Sequence, residues 1–309
     1  MIPTRLTLGS LLICGLLIFG CQPTPPDEAG LLDINGSQLY YSATGKGEPL
    51  LIIHGGPVLD QSYLVNHFAP LAKDYRLIFY DQRASGRSAS AVDSASMTVK
   101  MFVEDIEGIR KKLNLGKISV LGHSWGGFLA VRYAAAYPGE VERLILSNPM
   151  PPSTSVWQAE EQELAKRITR SDSLQRSQVL SSEAMKDNNV SAVNELMMLS
   201  FKTQFADTTL LNRLTINLPA DYFTRSKVFR FLFPELMNYD LLPEVQKIDA
   251  PTLVIYGDYE PAATLSGPLY EDNLTNGELA IISGSGHFPF IENPSEFFEQ
   301  IRRFISEKR

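Results

Sequence analysis

An α/β fold, with a mostly parallel central sheet flanked by helices, is the class this sequence of 309 residues predicts. Three observations predict it. Short runs rich in Leu, Ile, Val and Tyr recur along the chain, apolar on both faces as in a sheet covered on both sides. Segments of helical period alternate with them, the pattern of βαβ units. The alternation stops once, from about residue 150 to 245, and then resumes, which marks a helical insertion and not a second domain. The composition, 44% hydrophobic and 20% charged, can fill a sizeable core. The net charge of −7 argues against a nucleic-acid binder, which would need a basic face. No internal repeat is visible.

In chain order, residues 1–21 read as a targeting segment. Arg5 is the only charge in residues 1–20, and the apolar run "LTLGSLLICGLLIFG" has the form of a signal core. It ends at "IFGC" (18–21), which resembles a bacterial lipobox with Cys21 as the lipid-attachment residue. An uncleaved membrane anchor is the alternative, for which the run is slightly short. Cys14 and Cys21 are the only cysteines, so cleavage before Cys21 leaves one, carrying lipid. Neither a disulfide nor a cysteine metal site is then expected. The expected location is the bacterial cell envelope, with the lipid as the only membrane contact, facing the periplasm or exterior. Residues 22–30 read as a Pro-rich tether.

A core of 31–149 and 246–309 follows, interrupted by a helical cap at 150–245. Strands are predicted at 38–44, after the turn signal Asn35-Gly36, and at 50–53, 76–80, 118–121, 143–147, 252–256 and 279–283. Helices are predicted at 98–115, with Thr98 as cap and Gly116 as stop, after Ser124, and at 294–308. The Pro/Ser breaker "NPMPPSTS" opens the cap, where helical patterns start near Trp157, Ser191 and Tyr222.

Between the strand at 118–121 and its helix, Gly122-His123-Ser124-Trp125-Gly126 fits G-x-S-x-G, a sharp strand-to-helix turn that presents a serine. A serine hydroxyl needs a base. Of the four histidines, His54, His67, His123 and His287, only His287 lies in a loop between the last strand and the last helix. Open α/β sheets place their sites at such strand ends. His123 should point elsewhere. The base needs a carboxylate to hold its tautomer. "TLVIYGDYEPA" offers two after a strand: Glu260, favoured by its spacing from Gly257, and Asp258 as the alternative. "LLIIHGGPV" places His54-Gly55-Gly56-Pro57 directly after a strand, a candidate oxyanion loop, with the Gly56 and Trp125 N–H groups as donors.

Together the motifs "HGGP" (54–57), "DQRASGRS" (81–88), "GHSWGG" (122–127), "GDYEP" (257–261) and "GHFPF" (286–290) resemble the α/β-hydrolase superfamily, in its proline iminopeptidase-like branch, over residues 30–309. The resemblance implies an α/β-hydrolase fold with a helical cap before the late strands. It implies a triad of Ser124, Glu260 and His287 with no metal or cofactor. It also implies an exopeptidase releasing an N-terminal residue, often proline, from small peptides, the substrate amine met by cap carboxylates. Those available for that role include Glu160, Glu161, Glu163, Glu195 and Glu235; Glu195, within apolar "AVNELMMLSF", is the candidate to face the substrate, with an ordinary helix-surface glutamate as the alternative. The chain departs from the family's usual residues at Val58, Ala84-Ser85 and Glu260, and lacks the Trp-Glu pairing of the cap. Two other readings stand beside the peptidase: the same triad acting on an ester or other small acyl substrate, and a non-catalytic binding protein. Asp81, Arg83 and Arg87 are expected to brace a loop by ion pairing, and Trp157, Met197 and Met198 to pack.

Overall fold

The structure is a computed structural model that describes residues 26–89 and 91–306. Its strands are β1 (Glu28–Ile34), β2 (Ser37–Thr44), β3 (Glu48–Ile53), β4 (Tyr75–Tyr80), β5 (Ile118–His123), β6 (Val141–Ser147), β7 (Thr252–Gly257) and β8 (Gly277–Ile282). They form one sheet in the order β1-β2-β4-β3-β5-β6-β7-β8. The β1/β2 and β2/β4 pairs are antiparallel. Every later pair is parallel. All residues of β5 and β7 are buried, as their unbroken apolar runs require.

The tether expected through residue 30 ends earlier, because β1 begins at Glu28. Only Leu32 and Ile34 of β1 are buried, and Leu31 faces solvent, so its apolar signal is faint. A two-residue turn secures it: Asn35 (φ 48°) and Gly36 (φ 75°) take the left-handed conformations that reverse a hairpin with matched twist. Cys21, the signal-type segment and residues 22–25 lie outside the described residues. Among the described residues no helix is long and apolar enough to cross a membrane.

Side chains of successive strand residues point to opposite faces, and the core divides accordingly. In β3, Leu51 and Ile53 join the layer under α2 (Val99–Lys112) and α3 (Trp125–Ala136), with Phe102, Ile106, Phe128 and Leu129. Leu50 and Ile52 face the other layer, where a short helix, α1 (Ser62–Phe68), and the C-terminal helix Pro294–Ser306 contribute Phe68, Phe297, Ile301 and Phe304. The short helix is absent from the predicted elements, since seven residues give barely two turns of periodicity. Thr98 caps α2 as expected, its Oγ1 accepting from Met101 N at 3.2 Å. The helix stops at Lys112, before the expected Gly116, because Asn114 (φ 51°) already leaves the helical region.

From β6 the chain passes into helices at Thr154–Ala165, Arg170–Ser181, Glu183–Lys186, Val190–Lys202 and Tyr222–Phe229. Met197, Met198 and Phe201 pack on the second layer and Trp157 on the first. Leu241, Val245 and Ile248 are already core residues, so the return to the sheet starts ahead of residue 246.

Candidate active site

The turn after β5 explains its glycines. Ser124 has φ 56° and ψ −120°, outside the relaxed regions for a residue with a side chain. Such a conformation costs on the order of 1–3 kcal/mol and persists only where surroundings enforce it. Here they do. A Cβ on Gly122 would lie 2.2 Å from the Gly126 carbonyl oxygen, and one on Gly126 would lie 2.2 Å from the Ile53 carbonyl oxygen. The Ser124 N–H donates to Ser147 O at 3.1 Å, and its carbonyl accepts from Gly127 N at 2.8 Å and Met150 N at 3.1 Å. The backbone is held on both sides. The hydroxyl makes no hydrogen bond among the described residues.

His287 sits in the loop after β8, and its Nδ1 meets Glu260 Oε1 directly. The other Glu260 oxygen accepts from Asn148 Nδ2, which also donates to the Gly286 carbonyl at 3.2 Å. Asp258, the alternative acid, turns away: its Oδ1 accepts from Ser285 N at 3.2 Å. An imidazole whose Nδ1–H is held by a carboxylate presents Nε2 as a proton acceptor, the arrangement a general base needs. Asn148 is a site residue that no motif in the sequence marks. Its signal was an asparagine at a strand end before proline, and it occupies the left-handed region (φ 46°) that asparagine tolerates.

His123 points beneath the turn, as expected. Its Nε2–H donates to the His287 carbonyl at 2.9 Å, its Nδ1 accepts from Tyr63 OH at 2.8 Å, and that hydroxyl accepts from Gly55 N at 2.6 Å. Burial pushes its pKa well down, so it stays neutral and acts as a strut. The His123 and His287 rings are 4.9 Å apart, which fastens the His287 loop to the residue beside Ser124. His54 is likewise held neutral by burial. Its Nε2 accepts from Gln82 N at 3.1 Å, so Nδ1–H is left to donate to Gly55 O at 2.9 Å. That bond fixes the Gly55–Gly56 peptide plane, and with it the direction of the Gly56 N–H. Neither that N–H nor the backbone N–H of Trp125 donates a hydrogen bond among the described residues, whereas the Trp125 indole N–H donates to Gln82 Oε1 at 2.8 Å.

Of the ion-pair bracing expected from Asp81, Arg83 and Arg87, Arg83 makes the pair, and Asp81 and Arg87 brace by hydrogen bonds. Arg83 pairs with Asp105 through two bonds of 2.7 Å, fully buried. Asp81 accepts from the backbone of Gln61 (3.1 Å) and Arg87 (2.8 Å), and the Arg87 guanidinium reaches Tyr40 OH. Gln61 Nε2 also donates to Asp81, at 2.9 Å, so the carboxylate braces its loop through neutral N–H donors and not through a cation.

Glu195 does not face the site. It is exposed, accepts from Gln175 Nε2 at 3.1 Å, and lines a surface groove of about 350 Å³ between cap helices. The apolar stripe of its helix, Met197, Met198 and Phe201, takes the inward face, leaving Glu195 outside. Glu161 lies near Trp157, Glu163 near Lys166, and Glu235 accepts from Val99 N. Glu160 alone is buried, under the acid loop, where Ser266 Oγ donates to it. Burial pushes its carboxyl up to about 8 against that bond, with the Glu260 charge adding to the rise.

The chain belongs to the α/β hydrolase fold family, which matches residues 48–294. Within that family it is similar in sequence to proline iminopeptidases. It is 24% identical to the proline iminopeptidase of Heyndrickxia coagulans, over 90% of this chain and 98% of the relative. It is 28% identical to that of Lactobacillus delbrueckii subsp. bulgaricus, over 87% and 94%. The crystal structure of the Mycobacterium smegmatis proline iminopeptidase superposes with a TM-score of 0.69 at 19% identity, covering 90% of this chain and 97% of that one. An esterase from Exiguobacterium antarcticum superposes at 0.65 with 19% identity, over 91% and 100%.

Proposed function

We propose that this chain is a serine hydrolase that works through an acyl-enzyme and releases the N-terminal residue, proline foremost, from small peptides. The observation that carries the reading is the direct contact of His287 Nδ1 with Glu260, on the rim where the Ser124 turn projects. Ser124 Oγ attacks the carbonyl while its proton passes to His287 Nε2. The oxyanion is met by the Gly56 and Trp125 N–H groups, worth a few kcal/mol each in such sites. Collapse breaks the scissile bond, Nε2–H protonates the leaving amine, and water activated by the same imidazole releases the acid. The scheme calls on no cofactor. The peptide preference is supported by the relatives.

One observation favours a second reading, hydrolysis of an ester or other small acyl substrate. Of the five cap glutamates named as candidates, four are engaged or exposed elsewhere, and the fifth is buried under the acid loop. On either reading the mature chain is lipid-anchored through Cys21 at the cell envelope.

A fluorophosphonate probe tests the shared chemistry: it labels the wild-type protein and fails on S124A. Absence of labelling in folded wild type would leave the binding-protein reading. Proline β-naphthylamide against short-chain p-nitrophenyl esters then decides the substrate class, with the larger kcat/KM expected for the amide.

A further inference from the structure

Cap residues 203–207, at the end of the helix Val190–Lys202, run as a strap across the loops that carry His287 and Glu260. Gln204 O accepts from His287 N at 2.8 Å. The approach is so close that a Cβ on Gly286 would fall 1.9 Å from that oxygen. Thr203 O accepts from Arg167 Nη1 at 3.1 Å, and the same guanidinium donates to Tyr259 O at 2.6 Å, one residue before Glu260. Phe205, buried, stacks on Phe288 with centroids 5.1 Å apart.

One carboxylate closes this assembly. Glu292 Oε1 accepts from the strap at Ala206 N (2.7 Å) and Asp207 N (3.1 Å), while its Oε2 accepts from Gly286 N at 2.7 Å. A charged acceptor on three backbone donors is a strong and directional clamp. Only a carboxylate can supply acceptors to both sides at once, since an amide would turn a donor toward one set of N–H groups.

We propose that Glu292 is a positioning residue: by clamping the cap strap to the Gly286–His287 peptide it sets the imidazole against Ser124, so that cap seating and alignment of the base are one event. The inference rests on His287 being the base. Glu292 touches no reacting atom. Its removal acts by letting the His287 loop drift, and displacements near 1 Å cost on the order of a hundredfold in rate.

The test is the second-order rate of fluorophosphonate labelling per folded protein, well below the melting temperature, for wild type, E292Q and E292D. Alongside it runs the far-downfield proton resonance of the His287 ring N–H, assigned by its loss in H287A. E292Q is expected to label roughly ten- to a hundredfold more slowly with that resonance shifted or broadened. E292D, which keeps both acceptors on a shorter arm, is expected between the two. Labelling within about twofold of wild type in folded E292Q with an unchanged resonance would overturn the proposal. So would melting temperatures that fall in both variants while the rate per folded site holds. If E292Q fails to fold, E292D alone decides by the same criteria. Wild type that labels normally but keeps its label in S124A would instead sink the underlying reading.

Discussion

Replacing Glu260 by Gln should disable the site through tautomer choice and lost charge, and the first can be worked from Asn148. Glu260 receives Nδ1 of His287 on one oxygen and Asn148 Nδ2 on the other. Asn148 cannot turn its own oxygen there, because its Nδ2 also serves the Gly286 carbonyl. A glutamine at 260 therefore has two orientations. With its oxygen toward Asn148, its NH₂ meets Nδ1, which must then be the acceptor. The ring proton moves to Nε2, and the imidazole can no longer take a proton from Ser124. With its oxygen toward Nδ1–H, its NH₂ faces the NH₂ of Asn148, a buried donor clash of about 1–3 kcal/mol. The first orientation wins. Tautomer choice then costs at most the clash, about 1–3 kcal/mol, and loss of the negative charge beside the imidazolium adds the rest of a total near 10⁴-fold in turnover, or roughly 5.5 kcal/mol. Removing the clash should relieve part of it, so N148A/E260Q is expected to recover roughly ten- to a hundredfold over E260Q. D258N, which alters a surface acceptor for Ser285 N, should stay within about twofold. The assay is kcat/KM on a chromogenic substrate, with thermal melting to show that each variant is folded. E260Q within tenfold of wild type, or a double variant no faster than E260Q, would refute the reasoning.

H287A should lose several kcal/mol of transition-state stabilisation with little change in melting temperature; near-normal turnover would contradict it. Glu160, with its pKa raised from 4.5 to about 8, keeps a proton in the folded state that the unfolded chain releases. Stability should therefore fall as pH rises from near 4.5 to 8, and E160Q should be more stable than wild type by about 3 kcal/mol at pH 7 and hardly at all at pH 4. Denaturant melts across that range measure it, and a difference that does not grow with pH would count against it. G122A should fold poorly or melt far lower, because the new Cβ meets backbone and not a movable side chain. A melting temperature near wild type would show that the turn yields. C21A should leave the membrane fraction for the soluble one on cell fractionation, and unchanged partitioning would remove the lipid-anchor proposal.

Much of this molecule was legible from local pattern. The strand at 118–121, the glycine-flanked Ser124 and the helix after it obey steric rules that act within ten residues of chain. Strands buried on both faces announce themselves by unbroken apolar runs, and β5 and β7 are of that kind. The edge strand β1 did not, because half of it faces solvent and its pairing is settled by the turn at Asn35-Gly36 and by β2.

What the chain alone determined was which groups could react: a serine in an enforced turn, a histidine in the last loop, two carboxylates after β7, and a glycine pair after β3. Which carboxylate meets the imidazole was decided only in three dimensions, by the backbone donor that occupies Asp258 and by the Asn148 amide that holds Glu260. The same holds for Glu195, which helix periodicity could not orient until the cap packed its methionines inward. It holds for Glu292, whose three partners come from segments some 80 residues apart in the chain. Local sterics act between neighbours and can be read along the chain. Acceptor and donor matching in a buried site depends on distances between remote segments, and those exist only once the sheet has brought its strand ends together.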